Sequence, residues 1–355
     1  MISGFTATSC VCLVGLAVSS CAPERVVSTP QATPREVVEP PAAPVAPEPQ
    51  PAPPKIAAPV TREATPAARE LRREELRNEA SKSPGWAFYE TAHYFILTSV
   101  DDQDFVSELK ERCERIHRVI EVDLPDAPLD PVPVMPAPSV IRVCKNAEEF
   151  HGYGGAVNSA SYWSSESREL VLYDAKDRGG RRATWASLNG RICVEYLCVL
   201  RNMNPATWFA EGHADYYSGF ELTKDGFHPK AFDWRVRTIQ EAIRRQQQLS
   251  KDGKPERAHA PLQQLVRFTQ AEYYGQNKLG LDGGLNYAQG WSFIWFLRQA
   301  KAKSPLWQPA WDHILGNWWS AFLETSDSGV ATERAFAGVD WAALESASSS
   351  FTLDG

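Results

Sequence analysis

Val194-Glu195-Tyr196-Leu197-Cys198, followed after a short break by Pro205-Ala206-Thr207-Trp208-Phe209-Ala210-Glu211-Gly212-His213-Ala214-Asp215-Tyr216-Tyr217, decides how this chain is read. From Ala183 to Met203 the pattern is helical. Ile192, Val194, Tyr196, Leu197, Val199 and Leu200 are apolar nearly all round, as in a helix buried at a domain centre. A second helix is expected from near Pro205 to about Tyr217, where Ser218-Gly219 ends it. Each helix carries an interior carboxylate, Glu195 on the first and Glu211 on the second, and the two are expected to face each other.

Upstream of this unit the pattern is that of a mixed sheet. Tyr94 to Thr98, Val140 to Cys144, Ala160 to Trp163 and Glu169 to Tyr173 are short β-rich runs. Asp101 to Val122 places Phe105, Leu109, Cys113, Ile116 and Ile120 at helical spacing. Asn146 is positioned to cap a short helix through Phe150. Val134 to Pro138 is a Pro-rich connection, and Gly152 to Gly155 marks a loop. Downstream, helices are expected over Trp234–Gln247, Pro261–Tyr273, Asn286–Ala302, Trp307–Phe322 and Val330–Ala347. The expected fold class is α+β, with a small mixed β-sheet packed on a buried central helix and followed by a mostly helical C-terminal half. Residues 68–89 read as a solvated lead-in helix, 90–220 as an N-terminal subdomain carrying the two-helix unit, and 221–355 as a helical C-terminal subdomain.

The first 67 residues read differently. Val11 to Val18 is short and apolar, and Val18-Ser19-Ser20-Cys21 resembles a bacterial lipobox, although no Lys or Arg precedes the apolar run. Residues 1–21 are therefore expected to be a signal peptide with Cys21 as the lipidated residue. Residues 22–67, rich in Pro, Ala, Val and Glu, cannot bury enough apolar surface to fold and read as a disordered stalk. The expected location is the cell envelope, with membrane contact only through the lipid. Net charge −7 argues against nucleic-acid binding, which needs a basic face. Of seven cysteines, Cys113, Cys144, Cys193 and Cys198 remain after the first 21 residues, and all four read as small core residues.

The two-helix unit resembles the gluzincin-type, peptidase-MA-like metallopeptidase domains of uncharacterised bacterial envelope proteins. Glu195 falls at the general-base position of a degenerate His-Glu-x-x-His helix. Pro205-x-x-Trp208-x-x-Glu211-Gly212-x-Ala214-x-Tyr216 is similar to the second helix, whose Glu is the third zinc ligand. Tyr287-Ala288-Gln289-Gly290-Trp291 is similar to a helix placed behind the site. The resemblance covers about residues 90–350 and implies a zincin-like fold. It also makes Val194, Cys198 and Glu211 vestigial ligand positions, Glu195 a vestigial base position, and Tyr287 a further candidate in the catalytic site.

The departures decide the expected chemistry. Val194 has no donor atom, and Cys198 with Glu211 makes one ligand fewer than catalytic zinc sites use. No metal or other cofactor is expected. The leading expectation is a catalytically inactive relative that keeps the groove as a binding or structural module for a peptide or envelope protein. Without a metal, Glu195 needs another partner, and Tyr287, His213 and Arg191 are the candidates. The alternative is an atypical zinc peptidase or hydrolase using Cys198, Glu211 and His213. A third reading is a structural protein whose groove is filled with side chains. On this frame, replacing both Val194 and Cys198 by His is expected to create zinc binding. No Gly-x-Ser-x-Gly nucleophile frame is present, and Gly152-x-Gly154-Gly155 follows no nucleotide-binding strand.

Overall fold

A computed structural model describes residues 66–124, 139–157, 159–164, 167, 169–178, 180–199 and 204–354. The expected signal with Cys21, nearly all of the expected stalk, the Val134–Pro138 connection and residues 200–203, where the first site helix was expected to end, lie outside the described residues. The described residues form a mixed α+β fold. The helices are α1 (Pro66–Lys82), α2 (Gln103–Asp123), α3 (Ala147–Gly152), α4 (Arg182–Val194), α5 (Thr207–Ser218), α6 (Asp233–Lys251), α7 (Leu262–Leu265), α8 (Gln270–Tyr273), α9 (Gly283–Gln299), α10 (Ile314–Thr325), α11 (Ser328–Ala335) and α12 (Trp341–Asp354). The strands are β1 (Ala87–Glu90), β2 (Tyr94–Thr98), β3 (Ser139–Cys144), β4 (Ser161–Ser164), β5 (Glu169–Tyr173), β6 (Glu221–Thr223) and β7 (Gly226–His228).

Five strands form one sheet in the order β1-β2-β3-β5-β4. The central β2/β3 and β3/β5 pairs are parallel, and the outer β1/β2 and β4/β5 pairs are antiparallel. Strands covered on both faces carry unbroken apolar runs, which is why Tyr94-Phe95-Ile96-Leu97 reads as apolar at every position. Tyr94, Ile96, Ile141, Val143, Leu170 and Leu172 belong to the main core with α2 and α4. Phe95, Leu97 and Val140 face the other way and meet Leu76 and Ala80 of α1. So α1 is solvated over most of its surface and packed along one narrow stripe. Its arginines bind strand carboxylates, with Arg73 Nη2 2.7 Å and Arg69 Nη2 2.9 Å from Glu90 Oε1. The sequence hid this because only two buried apolar residues punctuate a highly charged helix.

Caps match the residues that signal them. Asp102 accepts from the amides of Asp104 and Phe105 at the start of α2, and Asn146 accepts from Glu149 N at the start of α3. Three expected long helices are broken, and of Trp307–Phe322 only a 3-10 turn at Pro309–Trp311 precedes α10, which starts at Ile314. Pro261–Tyr273 becomes α7 and α8, because Thr269 opens a new helix with a capping box to Glu272. Val330–Ala347 is interrupted at Gly338, whose φ of 74° suits glycine. The β6/β7 hairpin fills the gap between the second site helix and the helix expected from Trp234.

The first site helix is also not continuous. It is α-helical to Val194 and then turns π-helical over Glu195–Val199. On the opposite side of α5, Gly212 lets α9 approach closely. A Cβ there would lie 2.9 Å from Gly290 O and 2.8 Å from Ile294 Cγ1.

Candidate functional site

A cavity of roughly 290 Å³ opens between α4 and α5. α4 contributes Arg182, Ala183, Ala186, Ser187, Gly190, Arg191 and Val194. α5 contributes Glu211, Ala214, Asp215 and Ser218. Ser161 at the start of edge strand β4 and Phe232, Asp233, Trp234 and Arg237 at the start of α6 complete the wall. On each site helix the positions facing the cavity recur three and four apart, the spacing of one helical face. The helices touch because α4 carries glycine at the contact. A Cβ on Gly190 would lie 2.5 Å from Ser218 Oγ and 3.0 Å from Ala214 O.

The turn of α4 that faces this cavity is therefore Gly190-Arg191-x-x-Val194, four residues earlier than the expected Val194-Glu195-x-x-Cys198. A π-helical turn takes an extra residue per hydrogen-bonded ring. Cys198 thus no longer stands one α-turn above Val194, and neither Glu195 nor Cys198 is among the cavity residues. Glu195 is buried and acts on the other side of α4. Burial, and next the charge of Glu195, push the Tyr94 hydroxyl well above its usual range. Burial, then Glu114 and Glu195, do the same to the Cys113 thiol. Tyr94 also hydrogen-bonds His117 Nδ1 through its hydroxyl (2.8 Å). The His117 ring stacks on His93 at 4.1 Å, and His93 meets Glu114 at 2.7 Å. These histidines, unremarkable by spacing, belong to an organised polar cluster.

Glu211 does sit in the cavity. It lies inside α5 and not at its start, so it does not cap the helix. Tyr274 donates its hydroxyl to Glu211 Oε1 at 3.0 Å. Tyr287 stands behind, stacked on Tyr274 at 5.9 Å, with the Arg235 guanidinium 4.8 Å above its ring. Asp215, one turn beyond Glu211, meets Arg235 Nε at 2.6 Å. Burial pushes the Asp215 carboxyl up to about 6, and the charge of Glu211 adds to this. Arg235 and Arg191 pull it the other way.

His213 does not join Glu211. Its Nδ1–H donates to Phe209 O at 2.7 Å, which leaves Nε2 to accept from Arg298 Nη2 at 3.0 Å. Burial, and then Arg298, hold its pKa well below the usual histidine range, so it is neutral. The set Cys198, Glu211 and His213 is not assembled. Among the described residues no three His, Cys, Asp or Glu side chains are grouped to hold a metal. Zinc, implied by the resemblance, fails a fit test on donor chemistry. The cavity face of α4 offers a glycine, a valine and a permanently cationic guanidinium, and none of these is a zinc ligand.

Three cavity features were not singled out from sequence. Arg191, expected only as a partner for Glu195, lines the cavity and donates from Nε to Ser161 Oγ at 3.1 Å. Gly190 and the small residues Ala183, Ala186, Ala214 and Ser218 mark a close helix contact, and their spacing was legible. The Phe232–Trp234 wall comes from a distant part of the chain and carried no signal. Trp234 is covered by Arg235 at 3.8 Å, and its Nε1 hydrogen finds no acceptor among the described residues. No disulfide joins Cys113, Cys144, Cys193 and Cys198 among the described residues. No helix among the described residues is long and apolar enough to cross a membrane.

No known protein-family model matches the chain, and no curated protein matches it.

Proposed function

We propose that this chain is a catalytically silent, zincin-like relative of the gluzincin metallopeptidases, displayed at the cell envelope, in which the cavity between α4 and α5 serves as a binding module. One observation carries the reading. The cavity wall carries Arg191, Glu211 and Asp215, while none of the α4 residues that line it is a usual zinc ligand. Without a metal, the zinc-bound water that the resemblance implies as nucleophile is not formed. The mixed sheet, its antiparallel edge strand and the buried helix pair support the zincin-like assignment.

The binding role is supported by the wall chemistry. Trp234 contributes an indole to the wall, and edge strand β4 borders the cavity through Ser161. An edge strand can pair with an extended peptide through its free backbone groups. The envelope location rests on residues 1–21 alone. Metal analysis of protein purified without chelators, together with binding and cleavage of a fluorescent peptide library, tests the reading. Peptide binding without zinc or cleavage is the expected result. One zinc per chain, lost with hydrolysis on Glu211→Ala, would replace this reading with the enzyme.

A further inference from the structure

The failed fit for zinc leaves a question of charge. Glu211 and Asp215 stand one turn apart on the same face of α5, both buried and both in the cavity wall. Two carboxylates taken out of water need compensating positive charge. Asp215 has Arg235 at 2.6 Å, behind the cavity. The cation inside the cavity wall at this depth is Arg191, itself only 7% exposed. Its other cationic neighbours there, Arg182 and Arg237, are exposed, and Arg182 is held by Asp233 at 3.1 Å. The Arg191 side chain leaves α4 on the cavity face and is oriented by Ser161 of β4. It is thus directed into the space bounded by β4, α4 and α5. Asp215 senses both Arg191 and Glu211, so the three charges share one electrostatic environment.

We infer that the Arg191 guanidinium is the resident cation of this cavity, a built-in organic replacement for a metal ion that neutralises Glu211 and makes the site refractory to divalent metals. Guanidinium suits the task. It cannot be deprotonated at accessible pH, and its planar fork serves Ser161 on one edge while leaving donors for a carboxylate on another. Zinc entering the same space would meet a fixed positive charge. Silencing would then lie in the arginine as well as in the missing imidazoles. The inference rests on the proposed metal-free reading, and the two fail separately. Stoichiometric zinc in the wild type ends that reading, whereas the tests below bear on Arg191 even when zinc is absent.

The test is chemical rescue. Arg191→Ala leaves a cation-shaped hole beside Glu211 and should lower Tm by about 5–10 °C. Methylguanidinium at millimolar concentration should restore at least half of that loss, N-methylurea, its neutral isostere, should not, and neither should stabilise the wild type. Adding Glu211→Gln should restore stability without any additive, because the charge needing compensation is gone. If Arg191→Ala alone does not fold, recovery of folded Arg191→Ala/Glu211→Gln decides the matter. Equal effects of methylguanidinium and N-methylurea, or a double variant no better than the single, would overturn the proposal. Such a result would confine Arg191 to its contact with Ser161.

Discussion

The two sides of α4 use buried polar groups in opposite ways. Away from the cavity, Glu195 is buried and its charge acts on Tyr94 and Cys113, and Tyr94 in turn hydrogen-bonds His117 of the stacked His93–His117 pair. On the α5 side, Arg191, Glu211 and Asp215 border an open cavity. Both sides are buried by exposure and both carry acids. The difference is access. A polar group sealed away from solvent can only stabilise or position, whereas one at a cavity wall can meet a ligand. A carboxylate at the right place in a motif thus has no assigned role until its side of the helix is known.

The largest expected effect comes from closing the gap at the α4–α5 contact. Gly190→Val forces a branched side chain against Ser218 and the Ala214 carbonyl. The backbone must move, so a loss of about 3 kcal/mol is expected in denaturant unfolding. Adding Ser218→Ala should recover only part of it, because the carbonyl contact remains. Full recovery would mean that the helices are not held by backbone proximity.

Next in size is a pH effect on the cavity side. Asp215 has its folded carboxyl raised to about 6 from an ordinary 3.8. The folded state therefore holds this proton more tightly than the unfolded state. Its stabilising contribution is full below the unfolded value and is lost as pH rises through 6. Relative to Asp215→Asn, the wild type should lose about 2.5 kcal/mol between pH 4 and 7. A pH-independent difference between the two proteins would show that Asp215 stays ionised against Arg235 throughout.

A smaller effect belongs to the sealed side. Glu195→Gln keeps the shape but removes the charge from the Tyr94 cluster, at an expected cost of about 1–2 kcal/mol. It should leave peptide binding in the cavity unchanged. Altered binding with unaltered stability would put Glu195 on the wrong side of this division.

The smallest expected effect is none. With α4 turning π-helical at Glu195, Val194→His with Cys198→His should not create tight zinc binding, contrary to the expectation from motif spacing. The two imidazoles would not stand over one another on a single face. Zinc bound at one per chain, measured by isothermal titration, would show that the turn reverts to α-helix once ligands are supplied.

Much of the fold could be read from local pattern. The apolar run Tyr94–Thr98, the helical spacing from Phe105 to Ile120, and the caps at Asp102 and Asn146 depend on backbone sterics and burial, which act over a few residues. Glu211 was legible as a buried site carboxylate for the same reason, since the Trp208 to Tyr216 pattern marks one helix. The register of α4 was not. Its sequence is apolar nearly all round, so periodicity could not say which turn faces α5. That choice was made by Gly190, the position where backbone can approach Ala214, and by the π turn that follows Val194. The same tertiary contact placed Arg191 in the cavity wall and left Glu195 buried away from it. Residue types and helix boundaries follow from local sequence. Which charge faces which neighbour is settled only when two helices find their closest approach.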